Sequence, residues 1–384
     1  MKVLHVIPSL GPLRGGPSFV LPVVAEGLAA RGMTVEVAAT DDNGAEERLP
    51  VPLGQPLRQR GVTYWYFPRQ TRFYLASLPL TRWLWRNMRA YSLVHIHALF
   101  SYASNAAAWI ARARGVPYII RPLGLLNRYG MERRRPWLKA ASFRLCERPL
   151  LEHAAAVQYT TEQERAEAEA LGFAARPVII PNPVDAPVAA EPGRFRARHP
   201  AIQGKLLVLF LSRIDEKKGL DLLIPAFAQL RCQAPEARLA IAGSGPETLV
   251  GRLKQQAADL GVARQVLWLG FVEGQAKAEL LRDADIFVLP SYSENFGVAV
   301  VEAMQQGIPV VVSDQVGLHR EIAAHQAGLV TPCEVGALSE TLIRLALQPD
   351  TRGMLAERGR AFAMRFATAE VCAKLQELYQ RVAA

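Results

Sequence analysis

Short apolar runs alternate along this chain with longer stretches in which apolar positions return at helical spacing. The short runs predict buried strands at residues 2–7, 34–39, 93–96, 118–121, 156–159 and 178–180, then at 206–211, 238–242, 265–267, 286–289 and 309–312. Helical spacing predicts helices at 19–31, 101–114, 136–153 and 162–171, more between the later strands, and two after about residue 351. Strands alternating with helices imply parallel sheets with crossover helices, an α/β fold. Residues 181–200 are proline-rich and lack periodicity, which predicts a linker. A chain of 384 residues exceeds one ordinary domain, so two are expected.

Chemistry concentrates where strands of the second half end. In SENFGVAVVEAMQQGIPVV (293–311), Glu294 falls in a loop past the strand at 286–289, and Glu302 falls about one turn into a helix starting near Val298. Such a helix leaves the amides of Phe296, Gly297 and Val298 without intrahelical partners, facing where an anion binds. Upstream, LVLFLSRIDEKKGLDLLIPAF (207–227) reads as a strand, a loop carrying Arg213 and Lys218, then Gly219 and a helix. LAIAGSGPE (239–247) runs a strand into a glycine turn at Gly243 and Gly245, where backbone can approach a ligand closely. Two cations and bare N–H donors suit a diphosphate, and two carboxylates accept hydrogen bonds from sugar hydroxyls. Open α/β sheets bind ligands at this edge, so the combination reads as a nucleotide-sugar site.

These segments, together with GGPS (15–18), HIHALFSYAS (95–104), IIPNPVD (179–185) and LGFV (269–272), occur in an order that resembles the retaining glycosyltransferases of family 4, the group 1 glycosyltransferases. The resemblance implies the GT-B architecture, two Rossmann-like doubly wound parallel-sheet domains facing a central cleft. Residues 1–185 would form the acceptor domain, 186–360 the nucleotide-sugar domain, and 361–384 a last helix crossing back to the first domain. It implies transfer of a sugar from a UDP- or GDP-linked donor to a saccharide acceptor. Configuration would be retained by front-face attack, with the leaving phosphate taking the acceptor proton. Arg213, Lys218 and Glu294 take the catalytic positions. Gly15, Gly16, Gly243, Gly245, Phe271, Asn295, Phe296, Gly297, Val298 and Glu302 take donor-binding ones, and His97 and Arg121 line the acceptor side or cleft. No cofactor and no essential metal is expected, cationic side chains doing the metal's work on the β-phosphate. The string IIRPLGLLNRYG departs from the family: Leu123 stands where many members carry a histidine before glycine, leaving Arg121 as the candidate for an anion-binding role.

Plainer readings stand beside these. Glu302 is also what a helix start favours, Arg213 and Lys218 could pair with Asp215 or Glu216, and Lys217 competes for the phosphate role. Gly15 and Gly16 could form a mere turn. His95 and His97 share a strand face, as a structural pair or as substrate contacts. A carboxylate nucleophile at Glu294 is a further possibility, since retaining glycosidases use one. Other functions compatible with the pocket are a GT-B-like sugar-nucleotide epimerase or hydrolase, or a non-catalytic nucleotide-sugar-binding protein. GPLRGGPS lacks the G-x-G-x-x-G spacing of a dinucleotide fold, which argues against a dehydrogenase.

Charge adds one feature. Residues 60–150 carry 16 Lys and Arg against two Asp and Glu, leaving the remainder of a +10 chain net acidic. Arginines there interleave with Trp, Tyr, Phe and Leu, a pattern suited to an anionic membrane surface and hence to a lipid-linked saccharide acceptor in surface polysaccharide synthesis. The tryptophans at 83, 85 and 109 also read as core residues. No nucleic-acid motif accompanies the patch. The four cysteines are scattered, indicating neither disulfide framework nor zinc site. No apolar run is long enough to span a bilayer and the N-terminus reads as a first strand, so a cytoplasmic protein, peripheral on the inner face of the membrane, is expected.

Overall fold

The computed structural model describes residues 1–384 except 45, 128–129 and 132–135. The chain forms two compact units, Met1–Asp185 with Ala367–Ala384, and Ala186–Phe366. The sequence reading set its bounds at 1–185, 186–360 and 361–384.

The first unit holds β1 (Lys2–Ser9), β2 (Thr34–Thr40), β3 (Pro56–Gln59), β4 (Val62–Phe67), β5 (Leu93–His97), β6 (Tyr118–Arg121), β7 (Ala156–Tyr159) and β8 (Pro177–Ile179). They order as β3-β4-β2-β1-β5-β6-β7-β8, parallel except for the β3–β4 hairpin. Sequence patterning missed that hairpin because VTYWYF, polar only at Thr63, has no sustained alternation to mark it. The predicted helix at 136–153 is interrupted: α-helical turns at Pro136–Ser142 and Arg148–His153 flank a π-helical segment, Phe143–Glu147. The last helix, Thr368–Ala383, buries Val371, Cys372, Leu375, Leu378 and Tyr379 and packs on the helix Gly16–Ala30.

The second unit holds β9 (Leu207–Leu211), β10 (Arg238–Ala242), β11 (Val266–Gly270), β12 (Ile286–Leu289), β13 (Val310–Ser313) and β14 (Leu329–Thr331), ordered β11-β10-β9-β12-β13-β14 and all parallel. This is the doubly wound Rossmann order, whose direction reverses between β9 and β12. In the first unit the same reversal falls between β1 and β5. Central strands are fully buried: Leu207–Phe210 and Ile286–Val288 show no exposed surface, as strands covered by helices on both faces must. The predicted linker at 181–200 is shorter than expected. Its second half forms a helix, Arg194–Arg198, whose start is held by Asp283 accepting from the Gly193 and Arg196 amides at 2.5 and 2.9 Å.

Candidate functional site

At the reversal of the second sheet, the loops after β9 and β12 come together. The β9 loop leads through a 3₁₀ turn, Glu216–Lys218, capped by the Asp215 side chain, into the helix Leu220–Gln233. Gly219 sits at φ 70°, and a Cβ there would overlap the Pro290 carbonyl, so only glycine lets the two loops approach this closely. The Tyr292 amide donates to the Lys217 carbonyl at 2.8 Å and completes the junction. Across it the Lys218 ammonium donates to the Glu294 carboxylate. Burial alone would raise the Glu294 carboxyl, yet the charge and hydrogen bond of Lys218, with Lys217 and the Phe296 amide, hold it below the usual carboxylate range. Burial beside Lys218 likewise lowers the Lys217 ammonium. The Glu294 backbone is fixed by bonds from its N–H to Gln315 O at 3.1 Å and from Gly317 N–H to its carbonyl at 2.8 Å.

Arg213 is exposed and forms no ion pair among the described residues. Glu216, one of its alternative partners, pairs with Arg252 at 3.0 Å, and Asp215 caps the turn. The β10 turn lies against the same loop, the Ile214 amide donating to Ser244 O at 2.8 Å. Gly243, at φ 147°, has no room for a Cβ beside the Ser212 carbonyl, and Gly245 none beside Ile214. Both glycines thus serve backbone packing whatever they do for a ligand.

The helix Val298–Gln305 begins after Gly297, at φ 85°, with no side-chain cap, leaving first-turn amides for an anion. The Phe296 amide, counted from sequence among the bare donors, bonds the Glu294 carboxylate, and the Phe296 ring is buried edge-to-face on Phe366 at 5.5 Å. Asn295 lies half-buried in the same loop, and Phe271 stands exposed after β11. Glu302, one turn into the helix, accepts from Lys277 Nζ at 2.7 Å. Sequence reading missed Lys277, which lies in no motif and reaches Glu302 from the preceding helix, Gly274–Asp283, 25 residues earlier in the chain.

In the first unit, Gly15, at φ 84°, caps the helix Gly16–Ala30 without a side-chain bond, and Arg14 braces this loop through a bidentate pair with buried Asp42 at 2.6 and 2.9 Å. His97 and Arg121, read as acceptor-side candidates, are interior residues, 1% and 3% exposed. His5 on β1 lies in register with His95 on β5, and His5 Nδ1 bonds His97 Nε2 at 2.9 Å. His95 Nδ1 bonds the Tyr379 hydroxyl at 2.6 Å. Burial lowers all three imidazoles, His5 to about 3, and the Arg121 charge adds to the effect, so they are neutral. Arg121 donates to Asn182 of the IIPNPVD string, and burial lowers its guanidinium to about 10. The three histidines place ligand atoms within 4.8 Å of one another, near enough for a metal ion. A dication there would sit beside the buried Arg121 cation, with His5 and His97 already bonded to each other. His5 and Tyr379 were not singled out from sequence; the recurrence of histidine on β1 and β5 was the available signal.

Comparison with known proteins follows the same division. The family described as Glycosyl transferases group 1 matches residues 193–362, and the Glycosyl transferase 4-like domain matches residues 15–183. The phosphatidyl-myo-inositol mannosyltransferase of Mycolicibacterium smegmatis is 33% identical over 217 residues, 56% of this chain and 54% of that protein, so the match spans about half the length of that relative. The D-inositol 3-phosphate glycosyltransferase of Jonesia denitrificans is 27% identical over 310 residues, 76% of this chain and 72% of that one. Among solved structures, HepE from Anabaena in complex with UDP superposes with a TM-score of 0.81 over 99% of this chain and 100% of that chain, at 20% identity. At that identity the likeness shows the fold, and the two doubly wound units are those of GT-B proteins. The chain belongs to the group 1 glycosyltransferases, with a glycosyltransferase 4-like domain in its first half.

Proposed function

We propose that this protein is a retaining, metal-independent glycosyltransferase that moves a sugar from a UDP- or GDP-linked donor to a saccharide acceptor. The observation that carries the reading is the junction at the reversal of the second sheet. Arg213, which forms no ion pair among the described residues, the Lys218–Glu294 pair and the helix start at Gly297 meet there on neighbouring strand ends. Breaking the anomeric C–O bond develops negative charge on the β-phosphate. Arg213, Lys218 and the amides of Gly297 and Val298 are the donors suited to stabilise it. Glu294, kept ionised by Lys218, accepts from donor-sugar hydroxyls, and Glu302 accepts from the ribose. With Glu294 so committed, direct front-face attack accounts for retention better than a covalent glycosyl–enzyme.

The two cations and the amides supply the charge that a metal would. Transfer is therefore expected to continue in excess EDTA, and product NMR is expected to give the donor's own anomeric configuration. Loss of activity on chelation with recovery on adding magnesium, or an inverted product, would refute this part.

The acceptor is proposed to be lipid-linked, for surface polysaccharide synthesis, with the first unit resting on an anionic membrane. Support comes from the helix Leu78–Asn87 and its neighbour Tyr102–Arg114. Trp85 and Trp109, read from sequence as possible core residues, are 49% and 47% exposed, whereas Trp83 packs on Trp65 at 5.1 Å. Arg114 lies 3.9 Å over the Trp85 ring, and Arg82, Arg86, Arg89 and Arg112 are exposed around them. The basic run Arg133, Arg134 and Arg135, part of the same sequence pattern, lies outside the described residues. Among the described residues no helix is long and apolar enough to cross a membrane. Each basic residue contributes at most about 1 kcal/mol at an anionic surface, and salt screens it. Vesicles containing anionic lipid should co-sediment the protein at low salt, and Arg82→Glu with Arg86→Glu and Arg89→Glu should release it. Sedimentation indifferent to lipid charge and to these changes would eliminate membrane docking.

A further inference from the structure

Each carboxylate of the Glu294 and Glu302 block is held by a lysine from another segment, Glu294 by Lys218 and Glu302 by Lys277. Lys218 belongs to the phosphate loop. Lys277 belongs to no motif and sits in the helix Gly274–Asp283. Its Nζ lies 2.7 Å from Glu302 Oε1, with the two side chains 33% and 22% exposed. Among the described residues no other group donates to the Glu302 carboxylate, so its second oxygen is left to accept from a ligand.

We infer that Lys277 is a positioning residue for the nucleotide. Its ammonium fixes the Glu302 side chain with one oxygen occupied and the other presented to the ribose hydroxyls. A free glutamate on a helix surface samples several rotamers, and a charge-assisted hydrogen bond selects one of them. Lys277 thus acts on ribose recognition through Glu302 and not by touching the sugar. The inference rests on the donor reading above, in which Glu302 binds ribose.

The test is calorimetric titration of the full chain with UDP and GDP and with their 2′,3′-dideoxy counterparts, for wild type, Lys277→Met, Lys277→Arg and Glu302→Gln. Wild type should prefer one ribonucleotide over its dideoxy form by about 10-fold, the scale of a hydrogen bond to a charged group. Lys277→Met should cut that preference to about 2-fold by weakening only the ribonucleotide, and Lys277→Arg should restore most of it. A loss of stability or of general packing would not change the ratio of two ligands that differ only in ribose hydroxyls. Equal weakening of both nucleotides by Lys277→Met, or an intact ratio where Glu302→Gln collapses it, would overturn the positioning role. An intact ratio in Glu302→Gln would overturn the ribose role of Glu302 and this inference with it. Failure of both UDP and GDP to bind wild type would overturn the donor reading itself.

Discussion

Arg213→Ala and Lys218→Met should each lower sugar transfer by roughly 10²-fold or more, the loss typical of removing one preorganised donor from a developing oxyanion. Their effects on stability should differ. Arg213 is exposed and makes no ion pair among the described residues, so its loss should leave the unfolding transition where it is. Lys218 is 4% exposed in the fold, and without it the Glu294 carboxylate loses its neutralising partner, which should cost about 2–4 kcal/mol at neutral pH. The sign of the pH dependence follows from the lowered Glu294 carboxyl. The pair's contribution is complete above the carboxyl's ordinary value of 4.5 and disappears as pH falls through the lower value it has in the folded protein. The gap in stability between wild type and Lys218→Met should therefore be full at pH 7 and shrink in acid. Donor consumption and thermal unfolding across pH measure both effects. Full turnover in either variant would remove that residue from the phosphate site.

A second large effect is expected at Gly219. Its φ of 70° and the Pro290 carbonyl lying where a Cβ would go make Gly219→Ala a collision between the two loops that build the site. Relief requires the 3₁₀ turn or Pro290 to shift, breaking the close approach that seats Lys218 against Glu294. A loss of about 3 kcal/mol or more is expected, from strained backbone and lost packing together. Gly251, in the helix Glu247–Asp259, has open space within 4 Å of where an added methyl group would stand and serves as the control. Gly251→Ala should be neutral or stabilising by up to about 1 kcal/mol. Urea unfolding of both variants decides the matter, and equal midpoints would show that the loops tolerate a wider junction.

These contacts also show what a linear sequence conveys and what it withholds. Strands β9, β10, β12 and β13 were legible because each contains an unbroken apolar run that ends in glycine, proline or serine, and burial on both faces demands that pattern. The site's polar residues were legible where they follow such strands directly, as Arg213, Lys218 and Glu294 do. The β3–β4 hairpin was not, since VTYWYF has no sustained alternation to mark strand against core helix. Lys277 was invisible for a different reason: a lysine on an amphipathic helix looks solvated until the partner helix brings Glu302 within 2.7 Å. The first unit's polar centre was half visible. Alternation put His95 and His97 on one face, but the third imidazole, His5, and the Tyr379 hydroxyl arrive from a neighbouring strand and from the last helix. Of the two readings that alternation left open for His97, structural pair or substrate contact, the interior position matches the structural one, and Arg121, read as a cleft candidate, is interior as well.

The loss of transfer in the Arg213 and Lys218 variants and the ribose preference both depend on one claim, that the β9 and β12 loops cradle a nucleoside diphosphate. Crystals of the protein soaked with UDP and with GDP test it most directly. The account predicts a diphosphate in contact with Arg213, Lys218 and the amides of Gly297 and Val298, with its ribose against Glu302. A nucleotide bound elsewhere, with these groups unchanged and out of contact, would contradict it.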